Sequence, residues 1–277
     1  MKVIITHFSP DLDAITSCWL IKKFFPGWQN AEIKFVPAGL TYENKLVDSN
    51  PEIIHVDTGL GKFDHHQSND ITCAAEKILN YLKKNDLIKI KLIEPLKILV
   101  DFVIEDDHFL EVYYPDTESS RYNFLLNNLI DGLKNTLTDD QKLVEFVFIA
   151  LDGALDKLKK QQAAQAEIKK GFAFHSYLGK SMAIESTNDE VLRLAQKLGY
   201  QLVARKDPKY GNIRIKSPPN PKLDLTPLYN KILKVDSKGS WFLHSSKHML
   251  LNGSPKRPDQ VPSPVTIPTL IEIIKSV

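Results

Sequence analysis

Three short segments within the first 66 residues carry side chains suited to metal ions: His7-x3-Asp11-x-Asp13, Asp57, and Asp64-His65-His66. Hard divalent ions such as Mg2+ take carboxylate oxygens, and imidazoles in the same set shift the preference toward Mn2+ or another transition metal. Two such ions about 3.5–4 Å apart, sharing one carboxylate and one water, can hydrolyse a phosphoester. They acidify the water, aim it in line and neutralise charge on the transition state. Each segment alone is ordinary. A D-x-D pair is commonly a solvated turn, a lone aspartate at a strand end commonly caps a helix, and Asp-His-His is weakly specific. All three in this order, each where an apolar run gives way to a loop, point to a metal centre.

Those side chains need a scaffold that delivers them to one edge. Residues 2–7 form an apolar run that reads as a buried strand, and 14–25 have helical spacing (Ile15, Trp19, Leu20, Phe24) stopped by Pro26-Gly27. Residues 32–37 and 52–57 read as further strands; strand ends of an open α/β sheet border the crevice where ligands bind. Helices are expected at 73–85, 92–105, 121–135 and 139–170. The pattern restarts near 185, with helices at 188–198, 226–233 and 268–274, the first capped by Asn188. Strands are expected at 201–205, 212–216, 241–245 and 249–251. The fold class is therefore α/β: an N-terminal catalytic domain over 1–155 with a mainly parallel sheet flanked by helices, a helical connector over 156–184, and a smaller α/β domain over 185–277. The connector rests on the polar run KLKKQQAAQAEIKK, and five prolines in 254–268 mark a loop.

Composition narrows the classes further. The 277 residues are 43% hydrophobic and 25% charged, which excludes wholesale disorder, collagen and coiled coil. The most apolar run, 143–151, is nine residues long and contains Glu145, against about 20 residues for a bilayer span, so no membrane partner is expected. The first residues read as a strand and not a leader, and two cysteines without a C-x-x-C pair give neither a disulfide framework nor a zinc site. A cytoplasmic protein follows as the expectation. Residues 1–150 hold 15 Lys and Arg against 23 Asp and Glu, a balance of −8. The remainder holds 21 against 11, a balance of +10. Such blocks suit an enzyme that holds cations in one half and grips a polyanion with the other.

HFSPDLDA, IIHVDTG and FDHHQ resemble the first three motifs of the DHH phosphoesterase superfamily. The compact IIHVDTGLGKFDHHQ block and the later IEDDHF segment resemble in particular the melanocyte-proliferating-gene family of DHH-like 3′-to-5′ exonucleases. The first motif departs from that family, having the D-x-D-A form of the wider superfamily, and FLHSSKHMLLNGS stands where a G-G-G-H phosphate loop is common. The resemblance implies a phosphodiesterase that hydrolyses RNA or single-stranded DNA from a 3′ end through a water activated by two Mn2+ ions, with Mg2+ as the alternative metal. It implies that His7 and Asp11 bind one ion and Asp13 the other, that Asp57 bridges both, and that His65 and Asp106 complete the second set, with Asp101 and Asp107 as rivals of Asp106. Asp64 would orient the His65–His66 pair, and His66 would stand near the scissile phosphate.

The second domain is the expected substrate grip. Ser246, Lys247, His248, Asn252, Lys256 and Arg257 offer hydroxyl, amide, imidazole and cationic donors for phosphate oxygens, although the same run also reads as a basic surface loop. Substrate is expected between the domains, with closure bringing 246–248 toward the metals. Arg205, Lys206, Lys209 and Arg214 read as solvated charges, and Cys18 and Cys73 as buried fillers. Two other functions stand beside the exonuclease. One is hydrolysis of a small phosphate compound: a short oligonucleotide, a cyclic dinucleotide or pyrophosphate. The other is a metal-binding module without catalysis. Oligomeric state is open, a homodimer included.

Overall fold

A computed structural model describes all residues but 254–256 and 258. The described chain falls into two compact units, Met1–Lys159 and Lys160–Val277. The first is built on three parallel strands in the order β2-β1-β3: β1 is Val3–His7, β2 Glu32–Val36 and β3 Ile53–His55. β1 is central and its first four residues are buried, as a strand covered on both faces requires. Its partners pair in register, His7 with Val36 and Ile5 with His55.

Helix α1 (Leu12–Phe24) starts at Asp11, whose Oδ1 accepts the Ala14 N–H at 3.0 Å, and buries its first ten residues. A helix buried on nearly every side belongs inside a layered fold. It packs with α2 (Ala74–Lys84) and α3 (Ile90–Asp107), while α4 (Leu126–Lys134) and α5 (Asp140–Ile168) supply Ile130, Leu143, Val144 and Val147 to the same core. Burying each such Leu or Ile contributes about 1.5–3 kcal/mol. No helix among the described residues is long and apolar enough to cross a membrane.

The second unit is a six-stranded mixed sheet in the order β4-β5-β6-β7-β9-β8. Its strands are β4 Phe172–Ser176, β5 Gly179–Glu185, β6 Leu202–Lys206, β7 Ile213–Lys216, β8 Trp241–Leu243 and β9 Met249–Asn252. Alternation sorts the two faces. Ala183, Leu202, Ala204, Ile213 and Ile215 pack with Leu228 and Ile232 of α7 (Thr226–Val235) and Leu270 and Ile274 of α8 (Ile267–Lys275). Met182, Ile184 and Val203 face Val191, Leu192 and Ala195 of α6 (Glu190–Lys197) and the end of α5.

Two expectations need correction. The helical connector over 156–184 is helical only as far as Ile168; from Phe172 the chain forms the antiparallel pair β4–β5. Gly179, at φ 103°, makes the turn there in a conformation side-chain-bearing residues rarely adopt. The third strand, expected over 52–57, ends as a ladder at His55, with one further bridge from Val56 to Phe63. Asp57 leaves the strand in the left-handed region (φ 53°).

Candidate metal centre

His7 is the last residue of β1, and its side chain is fixed from both ends. Nδ1 donates to the Phe8 carbonyl at 2.9 Å, while Nε2 lies 3.3 Å from Asp57 Oδ2 and 3.7 Å from Asp11 Oδ2. In the turn that follows, Ser9 has φ 51° and its N–H donates to Asp140 Oδ2 at 2.9 Å. Asp11 spends Oδ1 on the α1 cap, which leaves Oδ2 for the cluster.

Asp57 is the centre of the group. It is 4% exposed, and its second oxygen, Oδ1, lies 3.3 Å from His65 Nε2. A non-glycine residue in the left-handed region is strained by about 1–3 kcal/mol, and such strain gathers where a side chain must be aimed. Burial alone would raise the Asp57 carboxyl, but His65 and His7 outweigh it and hold it below the ordinary carboxylate range. His65, beside Asp57, is pushed up to about 9. Burial opposes a similar rise at His7, yet the Asp57 hydrogen bond and the Asp11 charge carry it to about 9. Asp11, Asp13 and Asp107 are all raised, each chiefly by burial and then by neighbouring charges, Asp57 among them.

Asp64 holds the turn that presents the two histidines. Its Oδ2 accepts the Leu60 N–H at 2.7 Å, and its Oδ1 accepts the N–H of His66 at 3.1 Å and His66 Nδ1 at 2.7 Å. It therefore orients His66, and the His65 ring follows at a centroid distance of 4.2 Å.

Three candidates on α3, Asp101, Asp106 and Asp107, part company. Asp107 Oδ2 is 3.6 Å from His65 Nε2 and 3.7 Å from His108 Nε2. Asp106, the expected ligand, instead accepts from Asn127 of α4 at 2.5 Å, and burial raises its carboxyl to about 6. Asp101 is paired with Lys97 on the surface. Neighbours on a helix point about 100° apart, so only one of Asp106 and Asp107 can face the strand ends. His108 is tied to Thr72 through Nε2 at 2.9 Å.

Asp13 has a second task that its motif did not reveal. Its two oxygens accept the Ala74 and Ala75 N–H groups at 2.7 and 2.8 Å, capping α2 in place of Cys73. It still lies 3.9 Å from His65 Nε2.

The donors form three overlapping groups, each with ligand atoms within 4.8 Å of one another: His7, Asp11 and Asp57; Asp57, His65 and His66; His65, Asp107 and His108. Asp57 Oδ1 and His65 Nε2 are buried, and neither has a hydrogen-bond partner among the described residues. Buried polar atoms are ordinarily satisfied, so an orphaned oxygen facing an orphaned nitrogen fits a site for a cation. The cluster opens into a cleft of about 480 Å³, lined also by Ala38, Gly39, Thr58 and Leu60. Backbone places these four, and nothing in their residue types announced it.

The expected substrate residues sit in the second unit and are largely engaged there. Asn252 is fully buried and donates to the Ser240 and Val261 carbonyls at 3.0 and 3.1 Å while accepting the Ser263 N–H. Lys247 (φ 61°) pairs with Asp224, and Arg257 pairs with Asp259. His248 bonds Ser217 and the Leu223 carbonyl, and Ser246 bonds His244 in the β8–β9 turn. Lys256 lies outside the described residues. Arg205 is not the solvated charge expected of it: it is 4% exposed and bonded to the Ser186 carbonyl, Asp189 and Asp207.

No family model matches the chain, and no curated protein matches it. Among solved structures, it is similar to RecJ in complex with Mg2+ from Thermus thermophilus, with 12% identity, TM-score 0.32 and 99% of this chain covered. The chain spans about half of RecJ (49%). The DHH domain of a member of the s1p family of ribosomal proteins matches at 10% identity and TM-score 0.32, covering 99% of this chain and 86% of that one. An exopolyphosphatase-related protein from Bacteroides fragilis matches at 12% identity and TM-score 0.28, covering 99% and 90%. The likeness is loose.

Proposed function

We propose that this chain is a divalent-metal-dependent phosphoesterase that cuts single-stranded nucleic acid from its 3′ end, with Mn2+ as the ion. The observation that carries this reading is the division of Asp57. One of its oxygens faces His7 and the other faces His65, each 3.3 Å away. His7, Asp11 and Asp57 would hold one ion. Asp57, His65 and Asp107 would hold the second, with Asp13 beside it. Bound there, the ions would supply an acidified water and positive charge for the transition state.

The chain's own residues do the rest. Asp11 spends one oxygen on a backbone N–H and keeps the other for the cluster, while Asp64 spends both on backbone N–H groups and so fixes the turn that carries the histidines. Asp64 takes the proton on His66 Nδ1, so His66 would hand a proton from Nε2 to the leaving oxygen as the imidazolium and end as the neutral ring. Nucleic acid as substrate rests on the IIHVDTGLGKFDHHQ and IEDDHF motifs and on the basic second half. A second reading, hydrolysis of a small phosphate compound, is favoured by the absence of Lys and Arg from the described cleft lining. Lys247 and Arg257, each held by an acid of its own unit, point the same way.

The test is a 5′-labelled single-stranded RNA 20-mer incubated with purified protein and Mn2+, beside Asp64→Ala/His65→Ala. A ladder shortening from the 3′ end, absent in the variant, is expected. An intact 20-mer together with cleaved dinucleotide or pyrophosphate would replace the exonuclease by the small-substrate enzyme.

A further inference from the structure

We propose that Asp140 is a positioning residue for His7 and acts on it through a single peptide group. The inference rests on the reading of His7 as a metal ligand. The peptide between Phe8 and Ser9 is held on both sides: its carbonyl accepts His7 Nδ1 at 2.9 Å and its N–H donates to Asp140 Oδ2 at 2.9 Å. A carbonyl only accepts, so the Nδ1 position carries the proton and Nε2 is the nitrogen turned to Asp57 and Asp11.

A carboxylate on the N–H of a peptide polarises it and makes its carbonyl the stronger acceptor. Metal-bound imidazoles depend on such a partner at their other nitrogen, commonly a carboxylate or a carbonyl. Here the two are placed in series. Two further facts agree. Ser9 sits at φ 51°, a conformation that needs holding, and the peptide before it, between His7 and Phe8, is pinned to the sheet by the Phe8 N–H, which donates to the Val36 carbonyl at 2.8 Å. Asp140 is also spared from capping its own helix, because Asp139 accepts the Gln141 N–H at 2.9 Å.

The experiment is a calorimetric titration of the full chain with Mn2+, with thermal denaturation run alongside. Asp140→Leu removes the acceptor and weakens binding about 10–100-fold. Asp140→Asn keeps a carbonyl oxygen without the charge and falls between Asp140→Leu and the wild type. Asp139→Asn, a neighbouring acid at the same helix start, binds as the wild type. His7→Gln weakens binding at least as much as Asp140→Leu. Wild-type affinity in Asp140→Leu with His7→Gln weakened overturns the relay alone, and so does an Asp140→Asn no better than Asp140→Leu. Wild-type affinity in His7→Gln overturns the ligand reading and the relay with it. Should Asp140→Leu fail to fold, unchanged affinity in Asp140→Asn overturns the proposal.

Discussion

Both units bury aspartates, and they treat them in opposite ways. In the second unit, Asp236 is 5% exposed and accepts from four donors: the Lys238 and Gly239 N–H groups, the Trp241 indole and the Ser263 hydroxyl. Burial pushes its carboxyl up, but those donors hold it below the ordinary range, and Asp207 behaves likewise with Lys209, Tyr210 and Arg205. In the first unit, Asp11, Asp13, Asp57 and Asp107 converge, three of them raised, and one Asp57 oxygen has no partner among the described residues. Asp13 and Asp57, as buried as Asp236, thus mark a different thing. A carboxylate ringed by donors holds the fold, whereas carboxylates facing one another store repulsion that a cation would relieve.

The largest expected effect separates rate from stability. Asp57→Asn lowers phosphoester hydrolysis about a thousandfold or more, the loss of several kcal/mol of charge stabilisation. A variant that keeps its rate would remove Asp57 from the centre. Asp236→Asn does the reverse. Its amide turns donors toward donors and costs about 2–4 kcal/mol in urea denaturation of the second unit. Mn2+ affinity is untouched, and a change in it would show that the contrast between the units is false.

Adding Mn2+ at a hundred times its dissociation constant stabilises the first unit by about 2.7 kcal/mol and leaves the second where it was, as residue-resolved hydrogen exchange would report. Acidification gives the smallest effect and opposite signs. Asp236 is depressed, so its contribution is complete above the ordinary carboxylate value of about 4 and is lost as pH falls through its lower folded value. Asp106 is raised to about 6, so its ionisation costs stability above that pH and the cost disappears as pH falls toward about 4. Asp106→Asn therefore stabilises the first unit slightly at about pH 7 and not at about pH 4. A stabilisation that persists in acid would mean that charge is not its cause.

Much of the fold was legible because apolar period and turn residues agreed. The residues 2–7, 32–37, 73–85 and 92–105 fall on elements within a few residues of their ends. The β4–β5 pair was not, since the polar helix-favouring run before it carried the helical reading past Gly171 into FAFHS. The site's ingredients were legible as types at strand ends. Which acid of Asp101, Asp106 and Asp107 turns inward was not, because helical phase decides it and a sequence does not state its phase. Ser246 and Lys247 lie in the tight β8–β9 turn and Asn252 ends β9, and the polar groups that would suit phosphate are there spent on hydrogen bonds and ion pairs of the fold. The role of Asp140 had no signal, as paired acids at a helix start read as ordinary capping.

The carboxylate of Asp13 has one more consequence. Because it closes the first turn of α2 from another helix, the amides of Ala74 and Ala75 are native reporters on it. Their solvent-exchange rates would follow the occupancy of that carboxylate, slow while it grips them and faster whenever a cation draws it away. The molecule therefore carries its own probe of whether Asp13 leaves the helix to join an ion, readable at two backbone positions without altering a single side chain.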